Sequence, residues 1–259
     1  MEIKKLHFVY FSPTGTTQSL LRTITKSFNT EIEEHDITDY NCKDIELRFE
    51  RDDFVLFGFP VYSGRVPKTF INRLCGIKGQ GTLAALVATY GNREYEDALL
   101  EMKKLAKENG FLPICAAAIV TEHSVIRSIA TGRPDVKDMS FVNEFCLKLK
   151  KIAAITPGTS IAELYVPGKE PYRRYLEPPM APVTSASCTA CGLCVKKCPV
   201  GAIKAQNPRK TDKEKCIGCM RCVRLCPQKA RYLSKVKIAA VELYLSKAKQ
   251  IRKEPEMFF

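Results

Sequence analysis

The sequence has 259 residues, of which 45% are hydrophobic and 27% charged, with 14 Gly and 15 Pro. That is enough chain for two globular domains and too much apolar content for a disordered one. The formal charge of +13 lies wholly in residues 151–259, which hold 21 Lys and Arg against 8 Asp and Glu, while residues 1–150 hold 20 of each.

A basic half fits nucleic acid, an anionic membrane, an acidic protein or an anionic cofactor held within the chain. No nucleic-acid-binding motif accompanies the charge, so no nucleic-acid partner is expected. No apolar run reaches the length of a membrane span, and residues 6–11 are too short a run for a secretory signal. The expectation is a cytoplasmic protein without a membrane span.

In chain order, residues 3–11 read as a buried strand. Residues 16–28 read as a helix with Leu20, Leu21, Ile24 and Phe28 on one face. A weaker strand follows at 31–37, and an apolar one at 53–59 ends at Pro60. Residues 67–75 form a helix with Pro67 at its first position. Residues 82–90 are a strand, 94–109 a helix stopped by Gly110, 111–121 a strand and 138–154 a helix. The strands are continuous apolar runs alternating with helices, the pattern of a parallel sheet covered on both faces.

Residues 156–187 are Pro-rich and read as an extended connector, with Tyr165, Tyr172 and Tyr175 to pack it against something. Residues 236–253 read as one helix. The expected division is 1–155, 156–184, 185–235 and 236–259: an α/β domain, a connector, a small cysteine-rich domain, and a helix with a tail.

Eight of the 12 cysteines fall between 188 and 226. Cys188, Cys191, Cys194 and Cys198 precede Pro199, and Cys216, Cys219, Cys222 and Cys226 precede Pro227. Both runs spell C-x2-C-x2-C-x3-C-P, and the offset is 28 residues at all four cysteines. Zinc ribbons use two separated pairs instead, and disulfides need an oxidising compartment.

The doubled run is similar to bacterial two-cluster ferredoxins, which implies two 4Fe–4S clusters. Three thiolates spaced by two residues wrap one face of a cubane, and the fourth points away to the other cluster. Cys188, Cys191, Cys194 and Cys226 are expected to hold one cluster, and Cys216, Cys219, Cys222 and Cys198 the second. Gly192 and Gly218 supply unusual backbone angles, and Lys196, Lys197, Arg221, Arg224, Lys229 and Arg231 oppose the clusters' negative charge. Two clusters offset only part of the basic excess, which leaves an acidic redox partner protein plausible. Cys42, Cys75, Cys115 and Cys146 read as small buried hydrophobes.

Three loops fall at the carboxyl ends of strands, where doubly wound sheets bind ligands. The first reads FSPTGTTQ (11–18), the second PVYSGRVP (60–67) and the third TYGNREYED (89–97). Ser12, Thr14, Gly15 and Thr17 match the S/T-x-T-G-x-T loop of flavodoxins, so residues 1–155 resemble that family. The resemblance implies a five-stranded parallel sheet in the order 2-1-3-4-5 and an FMN site.

A helix N-terminus with Ser12, Thr14, Gly15, Thr16 and Thr17 suits a phosphate. Pro60, Val61, Tyr62, Ser63 and Gly64, with Thr89, Tyr90, Gly91 and Asn92, are the loops that enclose the flavin ring in that family. Tyr62 and Tyr90 are the expected flankers. Glu94 and Asp97 receive no role, and His123 is read as a surface residue rather than a proton donor.

The whole chain resembles bacterial and archaeal flavodoxin–ferredoxin fusion proteins, with a small α+β two-cluster ferredoxin-like domain after the flavodoxin-like one. The implied function is an electron relay between FMN and two clusters, coupling two-electron to one-electron chemistry. No catalytic residue is assigned. The alternatives are a reductase acting on its own quinone, metal complex or nicotinamide, and a redox sensor.

Overall fold

The structure, a computed structural model, describes residues 4–153, 162–176 and 180–259. Residue 3 of the expected first strand, residue 154 of the expected last helix, and residues 156–161 and 177–179 of the connector lie outside the described residues. The elements of the first half are β1 (Lys5–Tyr10), α1 (Thr16–Thr25), β2 (Glu31–Asp36), β3 (Leu47–Phe49), β4 (Phe54–Pro60), α2 (Lys68–Leu74), β5 (Ile77–Gly79), β6 (Thr82–Tyr90), α3 (Ala98–Glu108), β7 (Phe111–Val120) and α4 (Val136–Ala153). The second half contributes β8 (Val183–Thr184), α5 (Leu193–Lys196), α6 (Arg221–Arg224), β9 (Arg231–Tyr232), α7 (Lys235–Tyr244), α8 (Ser246–Gln250) and β10 (Glu256–Phe258).

The main sheet runs β2-β1-β4-β6-β7-β10. Its first five members are parallel neighbours. The sheet has six strands rather than five, because β10 pairs antiparallel with β7, setting Met257 opposite Ala117. Three residues are too short to show a strand period, so the tail carried no strand signal. β3 and β5 form a separate two-stranded parallel ladder.

Both faces of the main sheet are buried over β1, β4, β6 and β7, while the edge strand β2 is exposed. Val9, Phe57, Leu86 and Phe111 face one side with α2 and α3. Leu6, Leu56, Val87 and Phe145 face the other with α1 and α4. Pro113 is accommodated because the β6–β7 register slips between Ala84 and Ala85, the kind of bulge that tolerates a residue without an N–H.

Two helices differ from the sequence reading. The helix expected from residue 94 starts at Ala98: Glu96 has a φ of 44°, and the Asp97 carboxylate accepts the amides of Lys169 at 3.1 Å and Arg173 at 2.7 Å. Asp97 thus fastens the connector to the sheet. The helix expected over 236–253 is two, α7 and α8, meeting at Leu245, and the chain is extended at Ile251. Asn92 sets that ending by donating to the carbonyls of Ala248 and Ile251, both at 2.6 Å.

The connector packs through Tyr172 under the Arg65 guanidinium (4.7 Å) and Tyr175 under the Lys68 ammonium (4.9 Å), while Tyr165 is exposed. No helix among the described residues is long and apolar enough to cross a membrane.

Candidate metal centre and anion site

The cysteine segment is built as a repeat in its backbone as well as in its sequence. Left-handed residues recur at the 28-residue offset: Ala190 (φ 55°) with Gly218 (63°), Gly192 (76°) with Met220 (60°), and Gly201 (63°) with Lys229 (49°). Only one member of each pair is glycine. The fold imposes this conformation on Ala190, Met220 and Lys229, where a side chain crowds the backbone by about 1–2 kcal/mol. Gly192 and Met220 start α5 and α6, the single turns that hold the third cysteine of each run.

The segment encloses two cavities. One is lined by Cys188, Cys191, Cys194 and Cys226. The other is lined by Cys198, Cys216, Cys219 and Cys222. Each gathers three cysteines of one run and the last of the other. All twelve cysteines are free of disulfides.

Backbone amides already point at the exchanged sulfurs: Ala202 N–H donates to Cys198 Sγ and Ala230 N–H to Cys226 Sγ, both at 3.3 Å. Arg231 lines the first cavity, is buried, and keeps its Nε–H without a partner. It is held in place by Thr211 Oγ1 at 2.8 Å and the Pro208 carbonyl at 2.5 Å. A buried cation with one unpaired N–H beside four sulfurs suits an anionic occupant.

Burial pushes the Cys219 thiol far above its ordinary range and the Cys222 thiol up to about 11. These cysteines are therefore protonated without metal, and binding iron must displace protons. The residues present fit iron–sulfur ligation.

The first loop has the features of an anion cradle. Gly15, at φ 85°, starts α1 without a side-chain cap, and the space above its Cα is open. The Thr14, Thr16 and Thr17 amides have no hydrogen-bond partner among the described residues. Ser12 is buried and already used: its amide donates to Thr38 Oγ1 at 2.8 Å, and its hydroxyl accepts from the Gln18 amide at 3.0 Å. The Thr17 hydroxyl is bound to Thr89 Oγ1 at 2.7 Å, so Thr17 can offer an anion only its amide.

The loops expected around a flavin ring are largely satisfied within the chain. Tyr90, expected as a flanker, is a core residue packed edge-on against Tyr95 at 5.4 Å. The Asn92 side chain is spent on the C-terminal segment, accepting the Lys253 amide at 2.9 Å as well as donating to it. Ser63 Oγ donates to the Leu176 carbonyl at 2.8 Å, and a Cβ on Gly64 would run into the Glu96 carboxylate. Gly91 lies under the His123 ring, and the Val61 amide donates to the Thr89 carbonyl at 2.8 Å. Pro60 ends β4. Tyr62 lies close to Cys219 and Tyr175, and burial raises its hydroxyl well above its usual value. The first loop is thus open to an anion, while Tyr90 and Asn92, expected at the ring, are engaged within the chain in this conformation.

Sequence reasoning gave Arg221 and Lys197 only to the clusters' charge and missed that, with Arg73 and Asp39, they join the two halves. Arg221, buried between Cys219 and Cys222 in sequence, donates to the Ser12 carbonyl at 3.3 Å and to Asp39 Oδ1 at 2.7 Å. Lys197 takes the other Asp39 oxygen at 2.6 Å. Arg73, buried on α2, donates to the Pro199 carbonyl at 2.7 Å and the Thr38 carbonyl at 2.9 Å. The contacts between the halves link residues more than 120 positions apart, beyond any local signal.

Residues 187–231 match the family described as a 4Fe-4S dicluster domain. The cysteine segment thus carries such a domain, joined here to a sheet of flavodoxin-like strand order. Comparison with curated proteins gives no match.

Among solved structures, the chain is similar to a flavodoxin from the domain Archaea (15% identity, TM-score 0.40, covering 57% of this chain and 98% of that one). It is also similar to an NADH:FMN oxidoreductase in its apo form (12%, 0.46, 62% and 95%). A third is a short-chain flavodoxin associated with a bacterial microcompartment (19%, 0.39, 58% and 99%). The assignment of the sheet rests on its own strand order.

Proposed function

We propose that this protein is an electron-transfer protein relaying electrons between FMN and two 4Fe–4S clusters. The observation that carries the proposal is the sorting of eight cysteines into two cavities, each with one exchanged ligand. When bound, the clusters supply one-electron chemistry and FMN the conversion of electron pairs to single electrons.

The chain's own residues orient and tune these groups. Ala202 and Ala230 donate amides to the exchanged sulfurs, which favours the thiolate and the reduced cluster. Arg231 places a buried positive charge at one cluster. The Thr14, Thr16 and Thr17 amides, with the positive end of α1, would hold the FMN phosphate. Arg221 reaches that loop from the second cluster's own ligand run, so the two sites share a contact.

A second reading is a two-cluster carrier whose flavodoxin-like domain only docks the cluster domain. It draws on the internal satisfaction of Tyr90, Asn92 and Gly64. Anaerobic purification followed by iron, sulfide and flavin counts separates the two. The relay predicts about eight irons and one FMN per chain. Iron without flavin leaves the carrier, and absence of both overturns the proposal. Turnover of quinones or metal complexes by the protein alone would point instead to a reductase.

A further inference from the structure

Away from both sites, β1, β2 and the turn before β4 bring together a second set of metal-ligating groups. His7 and Glu33 sit opposite each other in the β1–β2 register, and His35 lies two residues along the same face of β2. His7 Nδ1 is 3.1 Å from His35 Nε2 and 3.7 Å from Glu33 Oε2, and His35 Nε2 is 3.7 Å from Glu33 Oε1. The liganding atoms of all three residues lie within 4.8 Å of one another.

A tetrahedral ion with bonds near 2.0–2.1 Å separates its ligands by about 3.3 Å, so this tripod needs only small rotations to close. The geometry points to a divalent zinc-class cation bound by His7 Nδ1, His35 Nε2 and Glu33, with the fourth position open.

Three independent features support the site. The other nitrogen of His7, Nε2, is buried without a hydrogen-bond partner, and Asp53 Oδ2 lies 3.6 Å from it. A ligating histidine turns that outer N–H to a carboxylate, and Asp53 stands where such a carboxylate belongs. The Phe49 ring packs edge-on against both imidazoles, at 4.8 Å from His7 and 5.6 Å from His35, which fixes their orientation. Burial lowers the pKa of both rings, keeping them neutral and able to ligate.

The competitor is Lys5, whose ammonium lies 3.0 Å from Glu33 Oε2. It also holds Glu31 at 2.8 Å and keeps that partner if Glu33 turns to a metal.

The chain has three histidines, which makes the test direct. Protein with its clusters loaded is titrated anaerobically with Zn²⁺, reading the histidine ring signals by NMR and the clusters by visible absorbance. The expected result is a shift of the His7 and His35 signals that saturates at one equivalent, with His123 and the absorbance unmoved. Glu33→Gln and His35→Gln should each weaken binding at least tenfold, and Asp53→Asn roughly 10–100-fold. Glu33→Gln is a solvent-facing change that leaves the fold intact. Unsaturated shifts, or zinc uptake equal in wild type and both ligand variants, overturn the site. So does uptake that proceeds only as the clusters bleach, since the metal is then on the cysteines.

Discussion

The carboxylate of Asp39 stands 2.7 Å from Arg221 Nη2, a contact across 182 residues that ties the end of β2 to the second cluster's ligand run. The same carboxylate holds Lys197 with its other oxygen. One acidic group therefore pairs with one cation from each cysteine run.

Opposite charge changes at this contact should give opposite potentials and the same loss of stability. Asp39→Asn leaves two unopposed positive charges and should raise the midpoint potential of the nearer cluster. Arg221→Gln removes one and should lower it. Both break a charged hydrogen bond and should cost about 1–3 kcal/mol. Potentiometric titration with chemical unfolding checks both signs, and a shift of the same sign in both variants would contradict this account.

Cys226→Ser tests the exchange of ligands. It should empty the cavity of Cys188, Cys191 and Cys194 although it lies 38 residues beyond Cys188 in sequence. Iron should fall from about eight to about four per chain, with the other cluster's signal retained. Removing all iron should leave the buried Cys219 and Cys222 thiols protonated, so reconstitution should release protons that a pH indicator can count.

Lys229→Gly should stabilise the protein. Lys229 is exposed and left-handed, and its repeat mate Gly201 already shows that the turn accepts glycine. Relief of about 1–2 kcal/mol is partly offset by about 0.5–1 kcal/mol of chain entropy, so thermal unfolding should shift upward by a small but measurable amount.

His123 should make the fold acid-sensitive. Its Nδ1 accepts the amides of Val125 at 3.2 Å and Ile126 at 3.0 Å, which requires a neutral ring. Burial, with Arg93 nearby, lowers its pKa to about 4. The unfolded histidine takes up its proton near pH 6.5, so between about 6.5 and 4 the unfolded chain binds more protons and stability falls with pH. A ring signal that titrates near 6.5 in the folded protein would refute this. His123→Gln should flatten the pH dependence of the urea midpoint.

The grouping of the cysteines was legible because their spacing is itself the chemistry, and four of the five parallel strands because buried strands are unbroken apolar runs, whereas β2 is an exposed edge strand. The first loop was legible as a helix start open to an anion. The rest depended on distant contacts. Asn92 lies in a loop matching a ring-binding one, yet its partners are the carbonyls of Ala248 and Ile251. Tyr90 belongs to the last position of β6, where the burial of the strand outweighs the loop that follows. Asp97 looked unassigned because the backbone it anchors arrives more than 70 residues later. The His7–Glu33–His35 group is invisible to spacing, since two strands must pair before the residues meet.

β10 makes the sheet of the first half depend on chain that lies beyond the cysteine segment. The strand that covers the β7 edge comes after the cysteine segment, so that edge is closed only when the intervening chain brings residues 256–258 back to it. An uncovered β7 offers a row of unpaired backbone groups to any passing strand. Failure to load the clusters would then be felt as self-association through a sheet edge far from the iron, which links metal supply to solubility.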